Sequence, residues 1–257
     1  MCELFGVTSV DPVDVDILLH RFYDHSHKHP NGWGLAIFRG SSVNIEKEPV
    51  AAYRSSYLRH RLFHKIKADH MIAHIRLATI GSEDYENCHP FVRQDRSGRT
   101  WTLAHNGTIF HCSSLDHYIH EQEGRTDSER VLCHIIAELD CEIQEQGREL
   151  TAEERFHVLD RVICQIAPQN KLNLLIYDGE LMYVHTNYNG SLFVKQSAHS
   201  AIFSTTPLDF GPWQPLPLNR LCAYQNGRHR FTGTDHKGEY KDNRKDMEFL
   251  FLDYSGL

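Results

Sequence analysis

Antiparallel sheets covered by helices are the fold class this sequence predicts, and three observations predict it. Short apolar or alternating segments recur along the chain, many separated by turn residues. A few longer stretches carry helical periodicity, and two of them open on a helix-start signature. No linker-like Pro/Gly/Ser stretch, low-complexity run or internal repeat divides the 257 residues. One domain over residues 2–257 is therefore expected, with Met1 removed.

Taken in order, strands are predicted at residues 2–9, 33–39, 70–77, 100–104, 172–177, 181–186, 201–205 and 218–224, from apolar runs or strict alternation. Asp178-Gly179, between two of them, is a hairpin signal. Helical spacing of apolar residues predicts helices over 13–23, 56–67, 127–146 and 152–166. Thr126 stands three residues before Glu129 and Thr151 three before Glu154, so each of the last two helices is expected to open with a capping box. Strands joined mostly as hairpins favour antiparallel pairing, and a few long helices suffice to cover such sheets.

Composition narrows the function. Hydrophobic residues make up 40% of the chain, and 27 Lys plus Arg stand against 34 Asp plus Glu, for a formal net charge of -7. No basic run is dense enough to track a phosphate backbone, which argues against a nucleic-acid partner. No basic segment opens the chain and no apolar stretch approaches the roughly 18 residues that cross a bilayer, so no membrane association and a cytoplasmic location are expected. Seven scattered cysteines, never spaced as a close pair, read as reduced thiols rather than as a disulfide framework or structural zinc site. Neither a Gly-x-Gly-x-x-Gly fingerprint nor a P-loop occurs, and no cofactor is expected.

Cys2 is the first candidate for chemistry. Aminopeptidases that remove an initiator methionine accept a small second residue, and the trimmed chain would carry a thiol and a free α-amine on one residue. An α-amine with a pKa of about 7.7–8.0 is a competent base for a thiol of about 8.5. Further polar stations follow at His29-Pro30-Asn31-Gly32-Trp33-Gly34, Ala73-His74-Ile75-Arg76-Leu77-Ala78-Thr79, His105-Asn106-Gly107 and Thr126-Asp127-Ser128-Glu129. By itself Asn106-Gly107 reads as a tight turn after a strand ending at Ala104. Arg76 alone reads as a surface ion-pair partner, and Asp127 as a first-turn carboxylate facing the helix dipole.

Together, in this order and spacing, the stations resemble the glutaminase domain of class II glutamine amidotransferases, whose nucleophile is the N-terminal residue. Ser204-Thr205-Thr206-Pro207-Leu208, Trp213 and Pro217 extend the resemblance more loosely to the stand-alone members. It implies a four-layer α/β/β/α sandwich, two antiparallel sheets flanked by helices, with Cys2 on the first strand. It implies that Cys2 attacks, that the Asn106 amide and Gly107 N–H form the oxyanion hole, and that Arg76, Thr79 and Asp127 bind substrate. A fork-shaped guanidinium suits an α-carboxylate and a carboxylate suits an α-ammonium. Leu77 and Ile80 depart from the tryptophan and histidine of larger synthase members.

The implied reaction is hydrolysis of the glutamine γ-amide through a thioester, giving glutamate and ammonia to a separate acceptor enzyme. Two alternatives stay open: a γ-glutamyl amide hydrolase acting on a glutathione-like or other γ-glutamyl conjugate, and a non-catalytic ligand-binding or regulatory member of the fold. Two readings are also open for His20, His25, His27 and His29. As alternating imidazoles they form a loop that takes up divalent metal adventitiously, or they shape the pocket rim. Without an accompanying acidic set, no functional metal is expected.

Overall fold

Two strand-rich segments whose side chains alternate between two buried faces build the centre of the molecule, and the computed structural model describes residues 2–40, 42–78 and 82–243. The first sheet contains β1 (Glu3–Asp14), β2 (Trp33–Arg39), β3 (Ser42–Glu48), β4 (Lys67–Ile75), β9 (Phe193–Gln196), β10 (Ser200–Ser204) and β11 (Trp213–Pro215) in the order β11-β9-β10-β1-β4-β2-β3. The second contains β5 (Phe91–Gln94), β6 (Thr100–Thr108), β7 (Lys171–Tyr177), β8 (Met182–Thr186), β12 (Arg220–Gln225) and β13 (Arg228–Thr232) in the order β13-β12-β8-β7-β6-β5. Every pairing is antiparallel.

Three apolar layers follow from the alternation. Leu4, Ala36, Phe38 and Ile72 of the first sheet meet Ala104, Leu175 and Val184 of the second between the sheets. Phe5, Val7, Trp33 and Leu35 point the other way, onto α1 (Asp16–Asp24) and α2 (Ser56–Phe63). Trp101, Leu103, Leu172 and Leu174 pack outward onto α3 (Asp127–Gln146) and α4 (Ala152–Ile166). The result is the α/β/β/α sandwich expected from the resemblance.

Helices α3 and α4 keep the bounds read from the sequence, because each opens on a threonine cap and carries one apolar stripe. At α4 the capping box is reciprocal: Thr151 accepts from Glu154 N, and Thr151 N donates to Glu154 Oε2 at 2.8 Å. At α3 the expected box is only half made. Thr126 caps Glu129 N at 3.3 Å, but the Glu129 carboxylate turns instead to the Glu123 and Gly124 amides at 2.7 and 2.9 Å.

Two helices are shorter than their periodicity, because strand pairing takes their ends. Strand β1 runs on through a register shift to pair Val13 with Ala68 and Asp14 with Lys67, so α1 starts at Asp16 and α2 stops at Phe63. Strands β3, β5, β9, β11 and β13 escaped the sequence reading. Four of the five lie at sheet edges, where exposed positions blur the apolar alternation. The Asp178-Gly179 hairpin is present: β7 pairs with β8, and Gly179 takes φ +89°.

Candidate functional site

Strand register brings the chemical residues to one end of the sandwich. Leu4 and Gly6 face the second sheet, and Cys2 shares their parity, which points it into the gap between the sheets. Leu4 pairs with His74, which pairs with Gly34, so the next inward-facing row holds Cys2 and Arg76. On the opposing sheet Ala104 faces the same gap, and Asn106 follows it with the same parity. Residue 205 fastens the start of β1: Thr205 N donates to Leu4 O at 3.1 Å and Leu4 N to Thr205 Oγ1 at 3.3 Å.

The Cys2 thiol lies 3.4 Å from the Leu77 carbonyl oxygen, which accepts its weak hydrogen bond. Burial pushes the thiol above its ordinary pKa, and the Asp127 carboxylate adds to the rise, while the Arg76 guanidinium opposes it. At neutral pH this cysteine rests as a thiol and needs a base beside it to become a nucleophile.

Asn106 and Gly107 do not form the turn that their dipeptide suggests. Strand β6 runs through them to Thr108, with Asn106 opposite Asn173 and Gly107 opposite Leu172. Asn106 is buried, and among the described residues its Oδ1 has no hydrogen-bond partner. Glycine at 107 is needed for close approach: a Cβ there would fall 1.8 Å from the Lys171 carbonyl oxygen and 2.5 Å from His105 Nε2. His105 Nε2 donates to that carbonyl at 3.1 Å, and its Nδ1 lies 2.9 Å from Ser128 Oγ at the start of α3. Burial lowers the His105 pKa against the pull of Asp127, which keeps the ring neutral with Nε2 protonated.

Asp127 opens α3 and is buried. Its Oδ2 accepts from Ile109 N at 2.7 Å, just beyond β6, and its Oδ1 accepts from Ser128 N at 2.8 Å. The helix start and the end of β6 are thereby fixed to one another. Arg76, predicted near a strand end, leaves the ladder of β4 but not its neighbours. Its N–H donates to Gly32 O at 2.8 Å, its carbonyl accepts from Asn31 N at 3.0 Å, and Nη1 donates to Ser82 O at 2.9 Å. It is 2% exposed, so the surface ion-pair reading is overturned. Asn31 Oδ1 also holds Ala78 N at 2.9 Å, which makes the Asn31-Gly32 segment the cradle of the Arg76 loop. Gly32, at φ +141°, admits the Cys88 sulfur that a Cβ would meet at 2.8 Å, and a Cβ on Gly34 would strike His89 O at 1.9 Å. Thr79 and Ile80 lie outside the described residues.

The histidine loop serves packing in this structure. His25 Nδ1 donates to Glu3 Oε2 at 2.8 Å, His29 Nδ1 to His25 O at 2.9 Å, and His27 stacks on Tyr53 with ring centres 4.2 Å apart. His20 Nε2 lies 3.1 Å from Leu62 O. Among the described residues no group of three or more His, Cys, Asp or Glu side chains could hold a metal ion. The sequence reading missed Glu3, through which this loop braces the residue next to Cys2. It also missed His89, whose buried ring stacks at 4.1 Å on that of His74 in β4. Nothing local in the sequence signals either contact.

An inward-facing cysteine at the head of the central strand of a two-sheet, helix-flanked sandwich defines the class of N-terminal-nucleophile amidotransferase folds. Among solved structures, an allosteric regulatory enzyme of purine biosynthesis overlays with a TM-score of 0.68 at 16% identity, covering 91% of this chain and 49% of that one. A predicted glutamine amidotransferase from Pseudomonas aeruginosa overlays at 0.60 and 19% identity, covering 90% and 100%. In sequence, an uncharacterized protein of Methanocaldococcus jannaschii is 35% identical over 254 residues, covering 88% of this chain and 70% of the other. A candidate glutamine amidotransferase of Haemophilus influenzae is 30% identical over 192 residues, covering 74% and 64%. The family described as glutamine amidotransferases class-II matches residues 1–202. This chain belongs to that family of enzymes. No helix among the described residues is long and apolar enough to cross a membrane.

Proposed function

We propose that this protein hydrolyses the γ-amide of glutamine through a thioester on Cys2. One observation carries the reading: the half-buried Cys2 thiol at the head of β1 shares its inward-facing row with Arg76, and the strand carrying Asn106-Gly107 faces the same gap, with Asp127 tied through Oδ2 to Ile109 N just beyond it. With Met1 removed, the Cys2 α-amine takes the Sγ proton, and the thiolate adds to the amide carbon. The Asn106 side-chain amide and the Gly107 N–H receive the oxyanion. Collapse expels ammonia with the proton returned from the amine, and water then cleaves the thioester to release glutamate. Arg76 pairs the substrate α-carboxylate, Asp127 the α-ammonium, and Thr79 contacts the bound amino acid. Ammonia passes to a separate acceptor enzyme.

Arg76 and Asp127 are also what make the reading specific, because a simple amide carries neither charge. The test is glutamate release from glutamine, from γ-glutamyl conjugates and from plain amides, by wild type and by Cys2→Ala, which keeps a small second residue. Release from glutamine that vanishes in Cys2→Ala supports the proposal. Turnover of conjugates alone transfers it to the γ-glutamyl amide hydrolases, and turnover surviving Cys2→Ala rejects it.

A further inference from the structure

The residues around Arg76 and Asp127 pose a question of geometry. Arg76 follows β4 and Asp127 opens α3, 51 positions on, yet one small amino-acid head group must meet both. One buried side chain, Asn87, bridges the segments that carry them. Asn87 closes a one-turn helix at Tyr85–Asn87 and is 1% exposed. Its Nδ2 donates to the Ser82 carbonyl at 3.0 Å, the same oxygen that accepts from Arg76 Nη1 at 2.9 Å. Its Oδ1 accepts from Arg125 N at 2.7 Å. Arg125 immediately precedes the Thr126 cap, and Asp127 follows.

The backbone on the Asp127 side has its amides assigned one by one. Glu123 N and Gly124 N go to the Glu129 carboxylate, Arg125 N to Asn87, and Glu129 N to Thr126 Oγ1. Remove the Asn87 contact and the amide of the residue beside the cap loses its side-chain acceptor. Gly124 makes room for the bridge: a Cβ there would meet Asn87 Oδ1 at 2.5 Å and Glu86 O at 2.9 Å. On the other side, Lys47 Nζ donates to Cys88 O at 2.9 Å, pinning the residue after Asn87 to β3.

We propose that Asn87 is a positioning residue for substrate recognition, setting the Arg76 guanidinium and the Asp127 carboxylate at the spacing of an amino-acid head group. The inference rests on the function proposed above. A primary amide suits the task because it donates at one end and accepts at the other, and no charged side chain of the same shape does both. Asn87→Asp keeps the acceptor for Arg125 N but sets a second oxygen against Ser82 O, so it loosens the Arg76 arm alone. Asn87→Leu loosens both arms.

The test measures KM and kcat for glutamine, for an amide that keeps the ammonium but lacks the α-carboxylate, and for one that keeps the carboxylate but lacks the ammonium. Hydrogen bonds of this kind correspond to about a tenfold change in affinity. Asn87→Asp is expected to raise KM for glutamine about tenfold with kcat nearly held, and to leave KM for the carboxylate-free amide unchanged. Asn87→Leu is expected to raise KM for all three, and Gly124→Ala to behave like Asn87→Leu. A second readout needs no turnover: protection of Cys2 by L-glutamate against a neutral alkylating agent, expected to weaken about tenfold in Asn87→Asp. Wild type that neither turns over nor is protected sinks the functional reading itself. Wild type that is protected, beside an Asn87→Asp variant protected equally or losing kcat with KM unchanged, overturns the role of Asn87 alone.

Discussion

Adding one methyl group at residue 107 tests how the site is built. A Cβ on Gly107 would fall 1.8 Å from the Lys171 carbonyl oxygen, whereas real Cβ atoms essentially never come within 3.0 Å of such an atom. Strands β6 and β7 would have to part by at least the difference, 1.2 Å. A ladder bond stretched that far is no longer a hydrogen bond. Two neighbouring ladder bonds at about 1 kcal/mol each, together with strain of about 1 kcal/mol, put the loss near 3 kcal/mol. His105 Nε2, 2.5 Å from the new carbon, would also be forced off Lys171 O. Because Gly107 supplies one proposed oxyanion donor, kcat should fall by about 10²–10³ as well. Urea unfolding reads the first loss, and glutamate release per folded molecule reads the second. A Gly107→Ala variant within about 0.5 kcal/mol of wild type, a change typical of neutral surface sites, would refute the close-approach argument.

Asn106→Ala should lower kcat about 10²–10³-fold, read as glutamate release at saturating glutamine. The rate of Cys2 alkylation by a neutral reagent should rise with pH as thiolate forms. Asp127→Asn removes a charge that raises the thiol pKa, so it should move that profile to lower pH, and Arg76→Met should move it higher. Away from the site, Arg155 and Asp178 form a buried ion pair at 2.7 Å, with side chains 3% and 0% exposed. Asp178→Ala should cost about 3–5 kcal/mol in urea unfolding and leave the chemistry of folded molecules unchanged. Burial holds His74 and His185 down at about 3. An unfolded histidine takes up its proton near pH 6.5 while these remain neutral, so their share of stability is present above about pH 6.5 and drains away toward pH 3. Urea midpoints across that range check the sign.

How much could be read in advance depended on whether the cause was local. Helices α3 and α4 were legible because threonine caps and apolar stripes are written within each segment, and Gly147 ends α3 at φ +66°. The ends of α1 and α2 were not, because the pairing of Val13 with Ala68 decides them across 55 positions. Asn106-Gly107 misleads for a related reason. The dipeptide favours a turn, but Leu172 and Asn173 on β7 continue the ladder past it. Arg76 and Asp127 were legible as members of a spaced pattern, whereas Asn87 carries no local signal. Its partner Arg125 N lies 38 positions away. The brace of His25 on Glu3 is hidden in the same way, since a histidine-rich loop advertises metal more loudly than it advertises a carboxylate 22 positions upstream.

The account turns on the chemistry of one sulfur, and trapping it in mid-reaction is the most direct measurement. Protein quenched in acid during glutamine turnover and digested should yield an N-terminal peptide that begins at Cys2 and carries a glutamyl group as a thioester labile to hydroxylamine. Full turnover by chains that retain Met1, or a glutamyl group found only on another residue, would contradict it.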